Sequence, residues 1–184
     1  MRAFFAPLAE LAEFQEIYAH RKKEKGILQI AGCVNSQKTH LAYALGEKEP
    51  CKILVFSTEE KAKKAFEEYK FIDDNVFCYP AKDLLFYHAD IKSKNLEQQR
   101  MEVIRGIIES EAEGKELTVI TSIDAFLDGL PSLKEIKDRR ISLKAEGGLD
   151  FTKLQKKLSS IGYEREVEVD GPGQFAVRGG ILDV

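Results

Sequence analysis

Eight residues, Gly32-Cys33-Val34-Asn35-Ser36-Gln37-Lys38-Thr39, have the spacing of a loop that cradles phosphates. The full pattern is G-x-x-x-x-G-K-[ST]. The segment keeps Gly32, Lys38 and Thr39 but places Gln37 where the second glycine belongs. That glycine lets the backbone turn its N–H groups onto the phosphates with no side chain in the way, at angles only glycine reaches cheaply. Gln37 adds bulk at that point. The plainer reading is a strand-to-helix turn that keeps the old shape and binds nothing.

Phosphoryl transfer also needs carboxylates at the end of a nearby strand, to hold magnesium and orient water. No Asp-Glu pair is read at any strand end, and Asp73-Asp74 precedes a strand and reads as a helix-terminating loop. His20, His40 and His88 are scattered, with no Ser or Cys at a recognisable nucleophile turn, so triad chemistry has no support. Cys33, Cys51 and Cys78 form no CxxC pair, which argues against zinc and for buried free thiols in a reducing cytoplasm. The chain itself is expected to be non-catalytic and to carry no cofactor.

The elements that position these residues alternate. Short apolar runs at 27–31, 52–56, 76–79 and 117–120 read as strands. Helical patterns at 37–45, 58–71 and 96–111 lie between them, which is the signature of βαβ units and a parallel sheet. Near Pro131 the spacing changes. Ile141–Lys144 reads as a strand, and Asp150 caps a helix with Phe151, Leu154, Leu158 and Ile161 on one face, ended by Gly162. Tyr163–Val169 alternates strictly, Asp170-Gly171-Pro172-Gly173 is a turn, and Gln174–Arg178 returns as a strand. Two units are expected, an α/β unit at 1–130 and a small α+β unit at 131–184. The chain stops at a strand with no cap, so a fragment of something larger is expected.

Composition narrows the partners. Twenty-eight basic and 31 acidic side chains give a net charge of -3, without the basic bias of a nucleic-acid surface. Arg21-Lys22-Lys23 and Arg139-Arg140 read as solvated helix ends or loop edges. No apolar run approaches 18 residues, and the start lacks the basic region and cleavage site of a signal peptide. A cytoplasmic protein with no membrane partner is expected.

Several segments in order carry a resemblance. After the degenerate P-loop come Tyr79-Pro80-Ala81-Lys82-Asp83-Leu84-Leu85-Phe86-Tyr87, then Gln99-Arg100, then Val119-Ile120-Thr121-Ser122. The series ends with Gly173-Gln174-Phe175-Ala176-Val177-Arg178-Gly179-Gly180-Ile181-Leu182-Asp183. This resembles the module shared by the excision-repair helicase UvrB and the transcription-repair coupling factors, from about Ile27 to Val184. UvrB-like proteins keep the P-loop glycine and insert a long DNA-clamping hairpin after the Tyr-rich segment. Here Ala89–Lys94 leaves too few residues for such a ribbon at about 3.3 Å per residue. The coupling-factor module is the better likeness.

The resemblance implies an incomplete RecA-like domain followed by the first part of a UvrA-binding domain. Its expected role is to bring UvrA and excision repair to RNA polymerase stalled at lesions. The ATP- and magnesium-dependent DNA translocase and the polymerase-binding parts would lie elsewhere in the parent chain. Matched by position, Arg165, Phe175 and Arg178 are the expected UvrA-contacting residues, with Ala176 where relatives often carry another arginine. Arg165 also stands out alone, as the one charge on a strand face with Tyr163, Val167 and Val169. It invites either a partner carboxylate or an internal one, Glu135 or Asp183. The rival function is an ATP-binding helicase half related to UvrB.

Overall fold

A computed structural model describes residues 2–23, 26–47, 49–82, 90–128, 130, 132–143 and 150–184. Among these the elements in chain order are α1 (Arg2–Ala9), α2 (Ala12–Lys23), α3 (Asn35–Leu45), β1 (Cys51–Phe56), α4 (Glu59–Tyr69), β2 (Val76–Tyr79), α5 (Asp90–Glu113) and β3 (Leu117–Ser122). They continue with α6 (Ile123–Leu127), α7 (Leu133–Arg139), α8 (Phe151–Ser160), β4 (Glu164–Arg165), β5 (Gln174–Arg178) and β6 (Ile181–Asp183).

β3 is flanked on both edges, by β1 and β2, and all three strands run parallel. All six β3 residues are buried, as expected for a run of apolar and β-branched residues covered on two faces. Alternation divides its side chains. Ile120 packs with Ala62, Ala65 and Tyr69 of α4, while Leu117 and Val119 pack with Val103 of α5 and with Tyr79. Thr58 starts α4 by accepting a hydrogen bond from the Lys61 amide at 3.3 Å, which satisfies one of the helix's free N–H groups. The result is the expected mixed α/β architecture, an incomplete RecA-like sheet followed by a small α+β unit.

Residues 27–31 depart from expectation. They join no strand ladder and are exposed, Ile27 completely. Among the described residues β1 and β2 each keep an outer edge with no partner strand, and the segment pairs with neither. α3 instead packs on α4. Arg21 of α2 donates to the Leu45 carbonyl at the end of α3 and pairs with Glu49.

α7 was not anticipated. Its signal was Ser132, whose Oγ accepts from the Glu135 amide at 3.2 Å, the Ser-x-x-Glu start of a helix. α7 and the residue after it lean on α5 through Lys137–Glu111 at 2.7 Å and Arg140–Glu109 at 3.5 Å. Residues 141–143 form no strand, and Lys144 lies outside the described residues. α5 begins at Asp90, so most of the expected 89–94 spacer is helix.

In the second sheet β4 runs parallel to β5, and β5 antiparallel to β6. α8 covers one face, where Leu154, Leu158 and Phe175 are buried with Ile141, Tyr163, Val177 and Leu182 around them. Asp150 caps α8 by accepting from the Lys153 amide at 3.1 Å. Gly162 ends it at φ +103°, a conformation that favours glycine. β4 is shorter than its alternation suggests. The chain bends after Glu166 and leaves Val167 86% exposed. Among the described residues, no helix is long and apolar enough to cross a membrane.

Candidate functional site

The phosphate-type loop is closed by its own side chains. Gly32 has the left-handed φ of +86° that the turn into α3 uses. Gln37 Oε1 accepts from the Val34 N–H at 3.1 Å, so it takes a backbone donor that a phosphate would use. Thr39, which stands where an intact loop carries its magnesium-side hydroxyl, is buried and donates to Glu68 Oε2 of α4 at 3.0 Å. Lys38 stays exposed. The hollow here, about 280 Å³, is lined by Ser36, Gln37, Thr39, His40, Glu68 and Ile72. A carboxylate in its wall repels phosphate.

Two carboxylates do reach the carboxyl end of the parallel sheet, where open α/β sheets take ligands. Glu59 accepts from the Ala81 N–H at 3.0 Å and from the Ser122 hydroxyl. Asp128 accepts from Arg100 Nη1 at 2.8 Å and from the Lys82 N–H at 3.2 Å. Arg100, itself buried, also donates to the Pro80 carbonyl at 2.8 Å and lies 4.2 Å over the Tyr79 ring. Burial pulls the Asp128 carboxyl upward. The bonds from Arg100 and Lys82, with their charges, outweigh that and hold it below the usual carboxylate range. Both acids thus stitch strand ends together. Sequence reading missed them because Glu59 looks like an ordinary first-turn helix residue and Asp128 like a turn residue. No group of three or more metal-ligating side chains occurs among the described residues.

The second sheet holds a different arrangement. Register places Arg165 beside Phe175, and paired residues of neighbouring strands share a face. That face looks toward α8. Arg165 borders an open groove of about 530 Å³, whose other walls are Gln155, Lys156, Ser159, Ser160 and Phe175. Phe175 is only 1% exposed and belongs to the core. Arg178 lies an odd number of residues further along β5, which sends it to the opposite face. There it donates to Asp183 Oδ2 at 3.0 Å. Of the three expected docking residues, Arg165 and Phe175 are therefore brought together and Arg178 is not. Of the two internal carboxylates considered for Arg165, Glu135 and Asp183, the second is used by Arg178 instead. Lys156 was missed; the spacing Leu154-x-x-x-Leu158 put it on the outer side of α8 without showing what it faces. The cysteines are free, as expected, but not buried: Cys51 is exposed and the others partly so.

Comparison with known proteins agrees with this geometry. Residues 141–184, which hold the second sheet and α8, match the family described as the UvrB interaction domain. The transcription-repair-coupling factor of Bacillus subtilis is 25% identical over 158 residues, covering 84% of this chain and 13% of that protein. The factor of Staphylococcus epidermidis is 28% identical over 116 residues, 62% of this chain and 10% of its own. By these matches the chain is similar to transcription-repair-coupling factors, and its residues 141–184 to the UvrB interaction domain. The chain spans about an eighth of the Bacillus subtilis relative's length.

Proposed function

We propose that this chain is a docking module that recruits UvrA, and with it excision repair, to RNA polymerase stalled at damaged DNA. The observation that carries the reading is Arg165. It is exposed on an α8-facing groove, beside Lys156, with no carboxylate in the groove wall. A guanidinium in such a place, with no ion pair among the described residues, suits a partner carboxylate. Phe175 supplies the floor, and Arg178, on the opposite face of the sheet, is proposed as a separate contact. Two units are proposed, with the division near residues 130–131 and α7 resting on the first.

RNA polymerase and duplex DNA are partners proposed for the parent protein, through parts this chain does not include. ATP and magnesium belong to its translocase part. For this chain we propose no catalysis, no cofactor and a cytoplasmic setting. The rival reading, an ATP-binding helicase half, fares worse because Gln37 and Thr39 are engaged internally.

Calorimetric titration with purified UvrA tests the proposal. The wild-type chain binds, and Arg165→Glu weakens binding at least tenfold with an unchanged melting temperature. A desolvated arginine–carboxylate pair typically costs about 2–5 kcal/mol to break. Arg178→Glu weakens it less, because that side chain already has Asp183. Wild-type affinity in both reversals would refute the surface. Micromolar ATP binding by the same method would favour the rival.

A further inference from the structure

The groove beside Arg165 has a feature beyond its charge. The amides of Glu164 and Glu166 donate to the carbonyls of Gly173 and Phe175, both on the β5 side. Strand alternation then turns the Arg165 N–H and C=O the other way, onto the edge of β4 that no strand covers among the described residues. Backbone groups on an open edge accept an added strand. Arg165 thus offers a main-chain pairing position and a guanidinium at one point. Across the groove on α8 stand Lys156 and Ser159. Neither Arg165 nor Lys156 makes an ion pair among the described residues, whereas Lys153, on the same helix, pairs with Asp150 at 3.4 Å.

We infer that the groove between α8 and β4 receives an extended acidic segment of a partner protein, which adds as a strand beside β4. Its carboxylates, two residues apart and so on one face, meet Arg165 and Lys156, and Ser159 donates a hydroxyl. This deepens the docking proposal and rests on it for the partner's identity alone. Charge decides the occupant. The groove wall holds two cations and no anion on a chain whose net charge is -3. The carboxyl end of α8 opposes an anion with roughly half a charge, which the two cations outweigh.

The test is a titration of the isotope-labelled chain with a capped peptide containing Glu-Ala-Glu, followed by amide NMR shifts. Saturable shifts are expected at Arg165 and at residues 155–160. The Gln-Ala-Gln peptide should be at least tenfold weaker, and Lys156→Ala should weaken the acidic peptide at least threefold. No shifts, shifts elsewhere, or equal binding of the two peptides would overturn the inference. So would sedimentation showing a dimer through this edge, which would give the groove to a second copy. The two proposals fail separately. If UvrA binding falls with Arg165→Glu but ignores Lys156→Ala, the groove is wrong and the docking reading stands. If the peptide binds and UvrA does not, the reverse holds.

Discussion

The turn before α3 and the groove beside α8 each place a cation near a helix, yet they end in opposite states. At the first, Gln37 fills the Val34 amide and Thr39 is tied to Glu68. At the second, Arg165 and Lys156 make no ion pair among the described residues and border a groove. A polar group that a fold satisfies internally gains little from a ligand, because binding must first break that bond. A charged group left in water keeps its capacity for a partner. Motif spacing alone would rank the two sites the other way round, since the α3 loop has the more familiar pattern.

The sharpest way to break this contrast is at the floor of the open groove. Phe175→Ala should cost about 3–5 kcal/mol of stability by leaving a cavity under Leu154 and Leu158. It should abolish UvrA binding through loss of the fold, seen as a large drop in thermal melting. A melting temperature like wild type would show that Phe175 is a surface anchor instead. Thr39→Val should cost about 1 kcal/mol, because it removes a buried hydroxyl's bond. An unchanged denaturation midpoint would mean that the Glu68 bond contributes nothing and the loop is less closed than drawn. The smallest effect is expected from Gln37→Gly. It frees the Val34 amide and lowers stability by some tenths of a kcal/mol, and it leaves ATP binding no tighter than millimolar, with no turnover. Magnesium-dependent hydrolysis by this variant would return the loop to the list of active sites.

Much of this was legible in the chain itself. β3 stands out as an apolar run because a parallel strand covered on both faces has no wet side to encode, and β1 and β2 are apolar too although β1 keeps Ile53 and Val55 about half exposed. Caps such as Thr58 and Asp150 were readable because they act within four residues of themselves. Residues 27–31 misled for the same local reason: apolar residues show readiness for a sheet, but whether the segment is carried to an edge depends on packing with parts of the chain far away in sequence. Tyr163–Val169 alternates over seven residues while only Glu164 and Arg165 pair, since alternation says nothing about where a partner strand ends. The opposite facing of Arg165 and Arg178 follows from strand register, which neither arginine's own neighbours record. Lys156 could be named only once α8 was seen to lie beside β4.

The central place of β3 also sets a timetable for synthesis. β1 and β2 touch β3 and not each other, so the first sheet has no ladder until residue 122 has left the ribosome. At the usual pace of about 5–20 residues per second, β1 then waits on the order of several seconds with Ile53 and Val55 unshielded. Even in the finished fold those two side chains remain roughly half exposed. A nascent chain paused between residues 56 and 122 would be a ready client for a ribosome-bound chaperone, and one paused after 122 a much poorer one.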